Sequence, residues 1–276
     1  MIITICVVFT TCIVWTLVRL KQWSPNASKF YPEGRVILLS HRGYQRRAKE
    51  NTIGAIKSAL LYGADGVEVD VRQTKDKYLV LSHDAFFKDD NNKEMSIKLS
   101  NYYQILDHMK ATCKDLNKDN MSIPLLEDIW TKIQQNKRIN LEIKTDHIGY
   151  AGFEKEIVRL IKKYNSADRI IVSSFNLSVL QMVKKIDRHI STALLWDKRV
   201  YKIFWYLPIV VAFISKADAI HLHWKQVETK LMNACHKLGI KVSIWTVNNA
   251  AVLEQVLPLK IDGIITDETE RIRKLI

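Results

Sequence analysis

Short runs of valine, isoleucine and leucine recur along the chain, separated by stretches with apolar residues at every third or fourth position. The strand-like runs are Val36–Ser40, Val67–Val71, Leu79–Ser82, Ile139–Ile143, Ile170–Ser174, Thr192–Leu195, Ala219–Leu222, Val242–Val247 and Gly263–Thr266. Their length and β-branched content predict strands. Between them, Thr52–Leu61, Leu126–Gln135, Phe153–Tyr164, Leu177–Ile186 and Val227–Leu238 carry the helical period. Strands that alternate with helices pair in parallel, because each helix returns the chain to the same end of the sheet. Lys75-Asp76-Lys77 interrupts the alternation as a tight turn that folds Leu79–Ser82 back onto Val67–Val71. With that hairpin counted as one barrel strand, the pattern predicts an α/β TIM (β/α)8 barrel with a small insertion after the second strand. A doubly wound open sheet is the alternative, but no glycine-rich phosphate loop follows the first strand.

Three further stretches depart from the pattern. Residues 85–122 are polar and rich in Lys, Asp and Asn, with a helical patch near Tyr102–Met109; this is the expected insertion. Residues 203–214 are apolar but too short to span a bilayer, which leaves a buried barrel helix or a membrane-contacting element with Trp205 and Tyr206 at the interface. Residues 2–18 carry no charge and approach the length of a spanning helix. No basic residue precedes this run and no small-residue cleavage motif follows it, so an uncleaved anchor is expected over residues 1–22. Residues 23–34, with Pro25 and a polar Ser24–Ser28 stretch, read as a linker, and residues 35–276 as the barrel domain. Arg19, Lys21 and Arg35 follow the run and place the barrel on the cytoplasmic side of the membrane. An anchored site of this kind would meet lysolipids lying in the bilayer.

The 276 residues suffice for one barrel, and the formal net charge of +13 favours an anionic partner, either phosphate esters or an anionic membrane surface. Nucleic acid is not expected, because the lysines are scattered and no basic-aromatic module is present. Of the four cysteines, Cys6 and Cys12 lie in the apolar run, and Cys113 and Cys235 form no metal or redox spacing. Glu68 and Asp70 alternate with valines and so share one strand face, which is costly to bury unless a hard cation sits between them. Oxygen ligands suit Mg²⁺ or Ca²⁺. The alternative is a half-exposed strand with a solvated face. Glu142 and Lys144 share a face of a later strand, His41 and Arg42 end the first strand, and the hairpin brings His83 beside Val69 or Asp70. Catalytic-type residues at the ends of separate strands are expected of the C-terminal rim of a barrel.

In chain order these residues form motifs. His41-Arg42-Gly43, Glu50-Asn51-Thr52, Glu68-Val69-Asp70-Val71 and His83-Asp84 come first. Ile123-Pro124-Leu125-Leu126-Glu127, Glu142-Ile143-Lys144, Trp245-Thr246-Val247-Asn248 and Gly263-Ile264-Ile265-Thr266-Asp267 follow. The set resembles the glycerophosphodiester phosphodiesterases from about Val36 to the C-terminus. The resemblance implies one divalent cation, Mg²⁺ or Ca²⁺, on Glu68, Asp70 and Glu142, and an acid/base pair of His41 and His83. It also implies substrate contacts from Arg42, Glu50, Asn51, Lys144 and Trp245, with Glu50 as a further ligand or an orienting group. The implied reaction is attack of a substrate glycerol hydroxyl on phosphorus and hydrolysis of the cyclic phosphate, giving glycerol 3-phosphate and an alcohol. A lysophospholipase D acting on lysolipids is the close alternative. A non-catalytic, membrane-tethered phospholipid-binding protein is the alternative of another class.

Overall fold

The computed structural model describes residues 23–89, 91–112, 123–134, 136–145, 149, 151–197 and 208–276. The strand-like runs all form strands: β1 (Ile37–His41), β2 (Gly66–Gln73), β3 (Leu79–Leu81), β6 (Arg138–Ile143), β7 (Ile170–Ser174), β8 (Ser191–Trp196), β9 (Ala219–His223), β10 (Lys241–Trp245) and β11 (Gly263–Thr266). Between β3 and β6 the insertion adds a hairpin, β4 (Phe86–Lys88) and β5 (Glu94–Ser96). The main sheet has nine strands in the order β1-β11-β10-β9-β8-β7-β6-β2-β3, and β1 also pairs with β2. Setting aside β3, which is antiparallel to β2, eight parallel strands close on themselves. The structure is the expected barrel.

The length of β2 explains how β3 is accommodated. Its first residues pair with β1, from Leu39 opposite Gly66 to His41 opposite Glu68. β1 then ends, and the edge of β2 that it leaves is taken by β3, from Val71 opposite Leu81 to Gln73 opposite Leu79. The Ser82 N–H continues the ladder by donating to the Asp70 carbonyl at 3.0 Å, so the next residue, His83, falls at the level of Val69. Gly66 is obligatory at the start of β2, where a Cβ would stand 2.1 Å from the Arg138 carbonyl oxygen of β6.

The helices are α1 (Ile53–Leu61), α2 (Tyr102–Thr112), α3 (Asp128–Lys132), α4 (Glu154–Lys163), α5 (Leu177–Ile186), α6 (Pro208–Ser215), α7 (Thr229–Lys237), α8 (Ala250–Val256) and α9 (Thr269–Arg273). Side-chain caps set several starts: Thr52 accepts from Ala55 N–H, Asn176 from Ser178 N–H and Asn249 from Val252 N–H. The helix expected over Leu126–Gln135 shrinks to α3, because Glu127 gives no side-chain cap and Ile133 is already extended. α2, β4 and β5 enclose a small core of their own around Val80, Phe87, Ile97, Ile105 and Met109.

The segment expected to be a polar linker is instead part of the packed structure. Ala27, Phe30 and Tyr31 are buried among Leu39, Ile171, Ala193, Ala219 and Ile265 inside the barrel. The Phe30-Tyr31 aromatic pair supplies an apolar plug that outweighs the polarity of Ser24–Ser28. Its backbone is tied to the N-terminal ends of the strands: Asn26 N–H donates to Asp218 at 3.0 Å, and Arg138 Nε to the Phe30 carbonyl at 2.6 Å. The Tyr31 hydroxyl lies 2.8 Å from His221 Nε2 and 2.8 Å from Ser243 Oγ. Burial pushes the His221 imidazole down to about 3, so it sits there neutral. Tyr31→Phe should lower stability by about 1–3 kcal/mol, because it leaves two buried polar atoms facing a ring edge. An unchanged denaturation midpoint in urea would show that this floor network adds nothing.

The expected anchor, residues 1–22, lies outside the described residues, as do residues 203–207. The described part of the apolar 203–214 stretch falls in α6, whose Val211, Ala212 and Phe213 are buried against the barrel. Among the described residues no helix is long and apolar enough to cross a membrane.

Candidate active site

Three carboxylates converge at the C-terminal end of the barrel. β2 and β6 run in register with Asp70 beside Glu142, and the period of two puts Glu68 on the same inner face. One oxygen from each of Glu68, Asp70 and Glu142 lies within 4.8 Å of the others, and all three residues are buried. Burial and the Asp70 charge push the Glu68 carboxyl up to about 8, and burial also raises Glu142. Burial acts on Asp70 in the same direction, but Lys144, Arg42 and the Asn51 amide outweigh it and hold its carboxyl below the usual range. Glu68 Oε1 is buried without a hydrogen bond. Oxygen donors gathered this closely, one of them unsatisfied, fit a hard divalent cation such as Mg²⁺ or Ca²⁺.

Two cations border the acids. The Lys144 ammonium stands 2.5 Å from Glu142 Oε1 and 3.0 Å from Asp70 Oδ1. Arg42 adopts a left-handed backbone, with φ of 56°, immediately after β1. That turn aims its N–H at Glu68 Oε2 (3.1 Å) and its guanidinium at Glu50 Oε2 (3.0 Å) and Asp70 Oδ2 (3.2 Å). Gly43 completes the turn at φ of 81°, against α1, where a Cβ would stand 2.7 Å from Ala55. Strain of this kind concentrates at functional sites.

His41 ends β1 level with Glu68. Its Nδ1 is 2.7 Å from Asp267 Oδ1, and its Nε2 is 3.9 Å from Glu68 Oε2. Burial disfavours the imidazolium, but Asp267 and Glu68 reverse this and raise its pKa. Asp267 is itself fixed by Asn248, whose amide donates to Oδ2 at 2.7 Å. Asn248 and Asp267 lie in the Trp245–Asn248 and Gly263–Asp267 motifs, and their place beside His41 is a contact between distant segments that no sequence pattern reports. His83 follows Ser82, whose N–H pairs with the Asp70 carbonyl, and holds Nδ1 2.9 Å from Asp84 with its backbone carbonyl bound by Arg72.

Two of the expected substrate contacts have other partners. Asn51 is buried, and its amide is committed at both ends to Asp70: Nδ2 donates to Oδ2 at 2.8 Å, and Oδ1 accepts from the Asp70 N–H at 3.0 Å. It braces a carboxylate of the cluster. Glu50 lies outside the carboxylate cluster and holds Arg42. Trp245 ends β10, partly buried, with its indole N–H donating to the His221 carbonyl and its ring edge-on to Phe175 and His223.

The model of the glycerophosphoryl diester phosphodiesterase family matches residues 41–271. A glycerophosphodiester phosphodiesterase of Caldanaerobacter subterraneus subsp. tengcongensis is 33% identical over 88% of this chain and 98% of its own. A crystal structure of the Thermotoga maritima glycerophosphodiester phosphodiesterase is 27% identical, with a TM-score of 0.72 over 88% of this chain and all of that one. An Oleispira antarctica phosphodiesterase, solved in complex with the product sn-glycerol-3-phosphate, shares the fold at 20% identity, with a TM-score of 0.69 over 90% of this chain and 98% of that one.

Proposed function

The chain belongs to the glycerophosphoryl diester phosphodiesterase family, and on that premise we propose that this phosphoric diester hydrolase cleaves small glycerophosphodiesters to sn-glycerol 3-phosphate and an alcohol. The observation that carries the reading is the meeting of Glu68, Asp70 and Glu142 within 4.8 Å beneath His41 and Arg42. Those carboxylates would hold one divalent cation, which supplies charge neutralisation at the phosphoryl oxygens. Arg42, braced by Glu50, and Lys144 bind the phosphate. His41 keeps Nδ1 on Asp267, which leaves Nε2 as the atom that moves a proton. His83 serves as the second proton-transfer group from the rim. Trp245 packs against the glycerol.

The test is release of glycerol 3-phosphate from glycerophosphocholine and glycerophosphoinositol by the purified full-length protein with Mg²⁺ or Ca²⁺. Turnover of lysophosphatidylcholine alone would favour the lysophospholipase D reading. No turnover of any diester would reject the proposal in favour of a binding protein.

A membrane anchor over residues 1–22, with the barrel on the cytoplasmic side, completes the proposal. Its support is the uncharged run 2–18 followed by Arg19 and Lys21. Sedimentation with membranes that is lost on removing residues 1–22 is the expected result, and equal sedimentation of both forms would refute it.

A further inference from the structure

A cleft of about 780 Å³ leads away from Lys144 between the barrel rim and the insertion. Its barrel wall carries Arg72, Lys75, Lys77 and Lys144, and its insertion wall carries Lys98 with Phe86 and Leu99. Among the described residues, no aspartate or glutamate lines it. The contrast with the neighbouring acidic cluster is abrupt, because Lys144 belongs to both. The one acid in the Lys75-Asp76-Lys77 turn is directed elsewhere: its carboxylate accepts from Thr74 Oγ1 and from the Tyr102 N–H at the start of α2. Lys75, Lys77 and Lys98 are exposed and form no ion pair among the described residues.

The walls are held in place. Lys75 N–H donates to the Ser100 carbonyl at 3.0 Å, and Ile97 N–H to the Ala85 carbonyl at 3.0 Å, so the turn and the insertion are fastened to each other. Arg72 Nη2 donates to the His83 carbonyl at 2.8 Å, which fixes one cation near the catalytic end. A concave surface lined by one sign of charge focuses the field within it. Solvated lysines on a convex loop would not do this; here they line one cleft.

We infer that this cleft receives the alcohol portion of the diester and selects alcohols that carry negative charge, a phosphate or a carboxylate, over cationic ones such as choline. The inference rests on the proposed phosphodiesterase reading, with the glycerol on the Trp245 side and the departing alcohol beyond Lys144. Phe86 and Leu99, both exposed, offer apolar contact to the body of the alcohol.

The experiment compares glycerophosphocholine, glycerophosphoinositol and glycerophosphoinositol 4-phosphate as substrates of the full-length protein and of a triple variant, Lys75→Gln, Lys77→Asn and Lys98→Gln. Asparagine is chosen for Lys77 because that residue has a φ of 74°. In the wild type, kcat/KM should rise from the cationic to the anionic substrate, and added salt should shrink the difference. The triple variant should lose about tenfold of the preference for the phosphorylated inositol while turnover of glycerophosphoinositol stays within about twofold. Equal ratios in both proteins, or preference for choline in the wild type, would overturn the inference and leave the phosphodiesterase reading intact. Calorimetric binding of inositol 1,4-bisphosphate needs no turnover. Salt-sensitive binding that is lost in the triple variant would uphold the cleft even if no diester were hydrolysed. Absent or unchanged binding would refute it.

Discussion

Exhaustive chelation with EDTA should abolish diester hydrolysis, and Mg²⁺ or Ca²⁺ should restore it. The three carboxylates put up to three negative charges in a buried space that Arg42 and Lys144 only partly neutralise. A Lewis acid at such a site contributes several kcal/mol to catalysis, and at about 1.4 kcal/mol per tenfold the expected loss is about 10³-fold or more. Glu68→Gln should behave in the same way. A second readout does not depend on turnover: a cation bound only by the folded state raises the melting temperature. That rise should be present in the wild type and absent in Glu68→Gln. Full activity after chelation, with no thermal shift on adding metal, would remove the cation from the reaction.

His41→Ala should lower kcat by about 10²- to 10⁴-fold, the range of a positioned acid or base, without unfolding the protein. The side chain is 20% exposed and lies at the end of β1, so its loss opens little of the core. His83→Ala tests the second role. If both groups serve one concerted step, the double variant loses little more than either single one. Near-normal turnover in folded His41→Ala would mean that the His41–Asp267 pair is structural.

The barrel and most of its chemistry were legible in the sequence for one physical reason. β-branched runs mark strands, parallel strands share a C-terminal end, and Asp70, Glu142, His41 and Lys144 lie in or just beyond the last residues of such runs, with Glu68 on the same face as Asp70. What stayed hidden was contact between distant segments. His41 meets Asp267 across 226 positions only because β1 and β11 lie side by side when the barrel closes. The resemblance of their motif assigns Asn51 and Glu50 to substrate, and it does not report which neighbours they touch. The left-handed backbone at Arg42 and Asn51, with φ of 56° at each, turns these groups onto the carboxylates and onto each other, and no periodicity reports that. Phe30-Tyr31 is too short a run to announce itself as core, and the three-residue strands of the insertion lie below the length at which alternation can be counted.

The plugged floor fixes the end of the barrel at which the chain enters. Asn26, Phe30 and Tyr31 are tied to the N-terminal strand ends, and Trp23 packs on Phe213 just before the turn into β9. The chain therefore enters the barrel from beneath, on the side away from His41 and the carboxylates. The proposed anchor would therefore join the barrel at the end opposite the catalytic mouth and its basic cleft.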